Sequence, residues 1–189
     1  ANAGLLAPAQ GYAWASPAAP GLMLRSLWRG DQAIRLRPRA TWRQWRWMLR
    51  FLRECTAARH AANSAVTTSL CQFSQLHMNR IARETGIDYD SRDGGLMYIY
   101  RSAEGLDGAD RKAEMLRAQG IRLERLSADQ MVARDPGLAS LATRAAGALF
   151  APGDESGDAH LFTNALVERA EAMGVGFHFD TRITRLVRR

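Results

Sequence analysis

The chain has 189 residues, of which 47% are hydrophobic and 24% charged, so it can bury one sizeable core and is not a disordered tail. Lysine and arginine number 26 against 19 acidic residues, and Lys112 is the lone lysine. Because the arginines are scattered over every segment, the formal charge of +7 does not predict a nucleic-acid surface. The sequence has no apolar run of about eighteen residues and no charged-then-apolar start, so it predicts neither a membrane-spanning helix nor a secretory signal.

Residues 1–40 are predicted to form a long loop. Four prolines interrupt this segment and leave room only for a helical turn or two at residues 22–28: Pro8, Pro17, Pro20 and Pro38. A long loop without secondary structure is usually functional. We therefore treat residues 1–40 as a separate functional segment.

Residues 41–86 predict two helices, of which the first is basic and amphipathic. Its apolar residues recur every three or four positions, and its arginines recur on another face: Trp42, Trp45, Met48, Leu49, Leu52 and Arg43, Arg46, Arg50, Arg53. The pattern is typical of a helix on a membrane surface, where tryptophan lies among lipid headgroups. It is equally typical of a helix with core tryptophans and solvated arginines, and the sequence leaves both interpretations open.

The second helix is predicted at about residues 56–84, ending at Gly86. Its apolar stripe comprises Ala62, Val66, Leu70, Phe73, Leu76 and Ile81. His60 and His77 lie on it without acidic or cysteine partners at ligand spacing, so no metal site is predicted. Cys55 and Cys71 show no Cys-x-x-Cys spacing and are predicted to be reduced, buried or half-buried thiols.

Residues 87–157 predict a sheet with flanking helices. Strands are expected at 96–101, 121–126 and 148–151, separated by helices at 104–119 and 128–134. Because no nucleotide-binding turn accompanies them, this arrangement indicates an α+β fold whose sheet is mixed or antiparallel.

A polar turn at 153–158 leads into the last predicted helix, which ends before Gly174 and is followed by expected strands at 175–179 and 183–187. Asp158 lies where an N-cap is needed. Asp154 and Glu155 are paired carboxylates in the turn, for which ordinary turn chemistry is a better interpretation than general acid–base catalysis.

Two blocks of sequence resemble the small-subunit family of bacterial FAD-dependent D-amino acid dehydrogenases, which are flavoproteins like D-amino acid oxidase. The first block has Ala-Asn-Ala-Gly at 1–4, then Pro8, Gly-Tyr-Ala at 11–13 and Pro-Ala-Ala-Pro-Gly at 17–21. The second has Gly-Asp at 157–158, Leu-Phe-Thr at 161–163 and Gly-Val-x-Phe-x-Phe-x-Thr from Gly174. The resemblance covers almost the whole chain.

The resemblance implies three segments: a flavin and substrate loop at 1–40, a substrate-binding domain at 41–157, and at 158–189 a return helix and strands of an incomplete Rossmann-like FAD-binding domain. A Gly-x-Gly-x-x-Gly turn that would receive the FAD pyrophosphate does not occur in the sequence. We therefore expect the chain to be an internal piece of a larger enzyme, with most of the FAD site elsewhere.

The resemblance also implies site residues. The backbone of Ala1, Asn2, Ala3 and Gly4 would lie close to the flavin ring, and Ile183 is expected to contact the cofactor. Tyr12 would reach toward the substrate, although a packing role in the loop is equally compatible with its position. The substrate pocket would include Gly95, Met97 and Tyr98, and the arginines that clamp the substrate carboxylate would come from outside this chain.

The implied function is oxidative deamination of D-amino acids to 2-oxo acids and ammonia, with electrons passed to a quinone or another respiratory acceptor. The expected location is cytoplasmic, with possible peripheral contact with the inner membrane. Two alternatives stay open: a related oxidase of glycine, sarcosine or hydroxyproline, and a membrane- or partner-binding domain that uses the basic amphipathic helix.

Overall fold

The computed structural model describes residues 4–28 and 41–187. Six helices and five strands lie within these ranges, with short 3₁₀ turns at Pro8–Gln10 and Pro136–Leu141. In chain order they are β1 (Leu5–Leu6), α1 (Ala19–Arg25), α2 (Trp42–Glu54), α3 (Ala57–Thr85), β2 (Leu96–Tyr100), α4 (Ala103–Arg117), β3 (Glu124–Leu126), α5 (Ala128–Arg134), β4 (Gly147–Ala151), β5 (Glu155–Ser156) and α6 (Ala159–Ala172).

The central sheet has the strand order β2-β4-β3, and both pairings are antiparallel. Every residue of β4 is buried, as expected for the middle strand. A second, two-stranded sheet pairs β1 with β5, placing Leu5 opposite Ser156. The predicted α+β architecture with an antiparallel sheet is confirmed.

Helices pack on both faces of the central sheet. Leu149 and Ala151 of β4 share a buried cluster with Leu106, Ala113 and Leu116 of α4. Since side chains alternate along a strand, Phe150 points to the opposite face, where the Arg134 guanidinium of α5 lies 3.9 Å from the centre of its ring. The core therefore lies mainly between α4 and the sheet.

The predicted helix ends are confirmed where they depend on neighbouring residues. The Asp158 carboxylate accepts hydrogen bonds from the N–H groups of His160 and Leu161, at 2.7 and 2.9 Å, and these bonds lower the pKa of Asp158. Gly86 and Gly174 follow α3 and α6 with φ of +67° and +89°, the left-handed region that suits glycine.

Two expectations about secondary structure are wrong. Residues 175–187 form no strand, because none of the described strands runs beside them to accept their backbone hydrogen bonds. Within the predicted loop, α1 forms at 19–25 and not at 22–28. Pro20 lies in the first turn of α1, where its missing N–H has no cost.

The apolar faces of α2 and α3 are exposed in the described part of the chain. Trp42 and Trp45 are 74% and 49% exposed, so the interpretation of these side chains as core is wrong for the described structure. On α3, most of the predicted stripe is also exposed: Val66, Leu70, Phe73 and Leu76. The α3 residues that are buried are Ser64 and Thr68. Cys55 is buried and Cys71 half-buried, and both are free thiols, as predicted.

Candidate functional site

A cavity of about 550 Å³ opens between β2, α4 and the loop around the first 3₁₀ turn. Its lining combines small and apolar residues with three tyrosines and two charged side chains: Ala9, Gln10, Tyr12, Tyr98, Tyr100, Ser102, Glu104, Gly105, Gly108, Ala109, Lys112, Leu123 and Leu149. The volume lies within the range typical of small-molecule sites. We call this space the tyrosine cavity.

Strand β2 and helix α4 build the cavity through their periodicity. Tyr98 and Tyr100 are two residues apart, so both point from β2 toward α4. On α4, the small residues Gly105, Gly108 and Ala109 share the facing side and leave the space open. Glu104 and Lys112 lie beyond them, about 12 Å apart along the helix axis, and so place a negative and a positive charge on the wall.

Helix α3 fixes the loop that carries Tyr12. The Ala13 N–H donates to Ser64 Oγ at 3.0 Å, and Thr68 Oγ1 donates to the Gly11 carbonyl at 3.4 Å. A side chain at Gly11 would place its Cβ 2.6 Å from Thr68 Oγ1, so only glycine allows this approach. The buried polar residues of α3 therefore bind the loop backbone, and the structure places Tyr12 in the tyrosine cavity.

Asp154 connects the same loop to the sheet. Its carboxylate is 1% exposed; Oδ1 accepts from the Ala9 N–H at 3.1 Å and Oδ2 accepts from the Tyr98 hydroxyl at 2.7 Å. Burial raises the pKa of Asp154, while both hydrogen bonds oppose that shift. The interpretation of Asp154 as a solvated turn residue is therefore wrong. Glu155 accepts from Gln75 and Asn79 of α3, at 2.7 and 2.9 Å.

The cavity tyrosines are protonated at neutral pH. Burial is the main cause that raises the pKa of Tyr12 to about 12, and Tyr100 adds to the shift. Burial and the Asp154 carboxylate also raise the pKa of Tyr98 well above its usual range. Burial raises the pKa of Tyr100 as well. These hydroxyl groups can bind a ligand as neutral donors or acceptors, but they do not supply a base.

The structure brings together only some of the predicted site residues. Tyr12 and Tyr98 line the tyrosine cavity, whereas Met97 lies on the other face of the sheet, opposite Phe150. Gly95 precedes β2 and packs against the Phe150 ring.

The predicted cofactor residues lie elsewhere or outside the described residues. Gly4 borders a separate cavity of about 60 Å³ beside Tyr89 and Phe162, and its carbonyl accepts from the Gly157 N–H at 2.8 Å. Ile183 is 77% exposed. Ala1, Asn2 and Ala3 fall outside the described residues.

Sequence reasoning missed Glu104, Lys112 and Asp154 as parts of this site. For α4 a signal was present: Gly105, Gly108 and Ala109 recur at helical spacing between two charges, which indicates a helix face with open space beside it. For Asp154 no comparable signal existed, because its partner Ala9 is 145 residues away.

The described residues do not by themselves fit an FAD molecule. The pyrophosphate of a dinucleotide needs a glycine-rich turn before a free helix N-terminus. In the described part of the chain, the N-termini of α3, α4, α5 and α6 are capped by side chains, those of Thr56, Ser102, Ser127 and Asp158. Helices α1 and α2 have no side-chain cap, but a Gly-x-Gly-x-x-Gly turn does not precede them in the sequence. A group of three or more His, Cys, Asp or Glu side chains that could hold a metal ion does not occur there either.

Comparison with known families identifies the chain. A family model described as "DAO: FAD dependent oxidoreductase" matches residues 1–189. The chain belongs to this family. The resemblance predicted from the two sequence blocks is thereby confirmed at the level of the family, and so is FAD as the cofactor on which the family depends.

The relatives carry more specific names. The chain is 40% identical over 186 residues to D-amino acid dehydrogenase 2 of Mesorhizobium japonicum, covering 98% of this chain and 45% of that protein. It is 37% identical over 185 residues to D-amino acid dehydrogenase of Agrobacterium fabrum, covering 98% and 44%. The chain thus spans less than half the length of these relatives.

A solved structure that the chain matches is the crystal structure of glycine oxidase from Geobacillus kaustophilus. It shares 22% sequence identity and a TM-score of 0.49, over 91% of this chain and 34% of that one.

Proposed function

We propose that this chain supplies the substrate-binding part of an FAD-dependent D-amino acid dehydrogenase, which oxidises D-amino acids to 2-oxo acids and ammonia. Membership of the FAD-dependent family and the names of the relatives support this assignment. Residues 41–157 would form the substrate-binding domain, residues 1–40 its loop, and residues 158–189 the connection to the flavin-binding domain.

The tyrosine cavity is the structural observation in this chain that supports the proposal. An amino acid is a small zwitterion with an ammonium group, a carboxylate and a side chain. The cavity offers hydroxyl groups from three tyrosines, the apolar side chains of Leu123 and Leu149, and the charges of Glu104 and Lys112. Lys112 is the lone lysine in the sequence, so its place on this wall is a specific feature.

The residues of this chain bind and orient the substrate, and the redox chemistry belongs to the flavin. Oxidising an amine beside a carboxylate requires a fixed substrate and a dry site; it does not require an acid–base triad. The protonated tyrosines fit this role because they hold polar groups in place without removing protons. Asp154 and Glu155 are held in structural hydrogen bonds, which agrees with a role outside acid–base catalysis.

A substrate panel tests the proposal. The flavin-loaded enzyme that contains this chain should reduce a soluble dye with several D-amino acids and should discriminate against their L-enantiomers. A strong preference for glycine, sarcosine or hydroxyproline, with hydrogen peroxide as product, would instead support the related oxidase. Absence of turnover with every amine in the panel would exclude both functions.

Tyr12→Phe is expected to lower kcat/KM for D-amino acids about tenfold without loss of flavin, because it removes one hydroxyl from the cavity and leaves the ring in place. Steady-state kinetics and the flavin absorbance of the purified variant measure the two effects. Tyr89→Phe is the matched control, since Tyr89 is buried against Phe162 outside the cavity. Equal kinetics for Tyr12→Phe and the parent would indicate that Tyr12 only packs against the loop and does not contact the substrate.

We further propose that the enzyme passes electrons to a quinone and contacts the membrane peripherally through α2. Support comes from the exposure of Trp42, Trp45 and Trp47 beside four arginines of the same helix. Tryptophan favours the headgroup region, and each arginine near an anionic surface contributes about 1 kcal/mol. Among the residues that the structure describes, none of the helices combines the length and the hydropathy of a membrane span.

Replacing the four arginines of α2 by glutamine is expected to move the enzyme from the membrane pellet to the supernatant at low salt: Arg43, Arg46, Arg50 and Arg53. The charge on α2 is screened by salt, so the parent should detach as ionic strength rises. Activity with a soluble dye should be unchanged. Sedimentation with vesicles that contain anionic lipid measures the shift.

A charge-matched variant separates this effect from net charge. Four exposed arginines outside α2 can be replaced together: Arg101, Arg111, Arg122 and Arg144. That variant should pellet like the parent. If both variants detach equally, overall charge and not α2 determines the attachment, and if neither detaches, the membrane contact lies elsewhere.

A further inference from the structure

We infer that Asp154 fixes the direction of the Tyr98 hydroxyl, so that the Tyr98 oxygen faces the tyrosine cavity as an acceptor for the ammonium group of the substrate. Asp154 would be a positioning residue, since it acts through Tyr98. The inference rests on the proposed function, because it assigns one wall of the same cavity to one end of an amino acid.

The direction of the hydroxyl follows from the donors and acceptors around Asp154. The backbone N–H of Ala9 can only donate, so Oδ1 of Asp154 is an acceptor at 3.1 Å. The Tyr98 hydroxyl donates to Oδ2 at 2.7 Å. The single proton of the Tyr98 hydroxyl is therefore used in the bond to Asp154, which is 1% exposed.

The remaining lone pairs of the Tyr98 oxygen can only accept. Tyr98 and Gln10 both line the cavity, so a ligand there can reach this oxygen. A substrate ammonium group is a strong donor for it, because hydrogen bonds to charged groups are about twice as strong as neutral ones.

The second bond of Asp154 makes this arrangement rigid. Ala9 belongs to the first 3₁₀ turn and Tyr98 to β2, and the carboxylate is bonded to both. Because one buried group holds both walls, the Tyr98 oxygen is oriented before a ligand binds. Ligand binding therefore does not include the entropy cost of ordering this group.

Asp154→Asn tests the inference while it keeps the shape of the site. The amide oxygen must still accept from the Ala9 N–H, so the amide nitrogen faces Tyr98 and donates to it. The Tyr98 proton then points into the cavity and opposes an ammonium group. We expect KM for D-alanine to rise about tenfold or more, and Ki for propanoate, which lacks the amino group, to change less than about twofold.

Tyr98→Phe is the second variant, and it tests the same point if Asp154→Asn does not fold. It removes the acceptor oxygen, so it should also raise KM for D-alanine and leave Ki for propanoate nearly unchanged. The double variant should lose no more affinity for D-alanine than either single variant, because both changes remove the same interaction.

The outcomes distinguish a failure of the proposed function from a failure of the inference about Asp154 and Tyr98. A parent enzyme that oxidises no D-amino acid contradicts the proposed function itself. If the parent is active and the variants weaken the binding of D-alanine and of propanoate equally, Asp154 and Tyr98 only support the cavity wall, and the inference is wrong. Unchanged values for both ligands would contradict it as well.

Discussion

Replacing Gly108 by leucine is expected to lower turnover of D-amino acids at least about a hundredfold while the fold stays as stable as before. Gly108 lies on the face of α4 that lines the tyrosine cavity, and the nearest atom to an added Cβ is an Arg111 nitrogen at 3.9 Å. A leucine side chain would therefore project into the cavity and obstruct the substrate. Within a helix, leucine is also favoured over glycine by about 0.8 kcal/mol.

Two companion variants make this experiment specific. Gly108→Ala adds one methyl group and should lower kcat/KM only mildly. Gly21→Leu places the same side chain on α1, where nothing lies within 4 Å of the added Cβ, and should leave kinetics unchanged. Thermal unfolding and steady-state kinetics are measured on all three. Full activity of a folded Gly108→Leu enzyme would show that the substrate binds somewhere else.

Gly95→Ala is expected to destabilise the fold by about 1–3 kcal/mol. Gly95 has φ of +83°, and an added Cβ would lie 2.7 Å from the Phe150 ring and 2.8 Å from the Ala151 carbonyl oxygen. Both the backbone strain and the clash occur where β2 begins to pair with β4. Chemical denaturation of the purified protein measures the change in the free energy of unfolding.

The neighbouring residue provides the control. Gly94 has no atom within 4 Å of an added Cβ and no positive φ, so Gly94→Ala should change stability by less than about 0.5 kcal/mol. Equal stability of the two variants would mean that the backbone at Gly95 can relax, and the close contact with Phe150 would then carry no structural role.

Features that depend on adjacent residues could be predicted from the sequence. Asp158 caps α6 and Gly86 ends α3 because each acts on the backbone within a few positions. The strand predicted at 148–151 is observed as β4, Gly147–Ala151, since a short apolar run is a sufficient local signal. The family resemblance directed attention to Tyr12 and Tyr98, which the structure places in one cavity.

Features that depend on distant partners could not be predicted. A carboxylate in a polar turn has the same local signature whether it is solvated or buried, and only the approach of Ala9 and Tyr98 buries Asp154. Alternating apolar residues at 175–179 predict a strand, but a strand also needs a neighbour. The apolar stripe of α3 is visible in the sequence, whereas its exposure in the described structure is not.

The pairing of β1 with β5 has a consequence for the order in which the chain folds. Gly4 is hydrogen-bonded to Gly157, and Ala9 is hydrogen-bonded to Asp154. The hydrogen-bond partners of the first described residues therefore lie about 150 positions later in the chain. Contacts so far apart in sequence form late, because a long loop must close first. During synthesis on the ribosome, helices α2 to α4 can form while the segment carrying Tyr12 still lacks its hydrogen bonds to Asp154 and Gly157. The tyrosine cavity therefore takes its shape only after the turn that follows β4 emerges, because this turn supplies the hydrogen-bond partners that hold the first described residues in place.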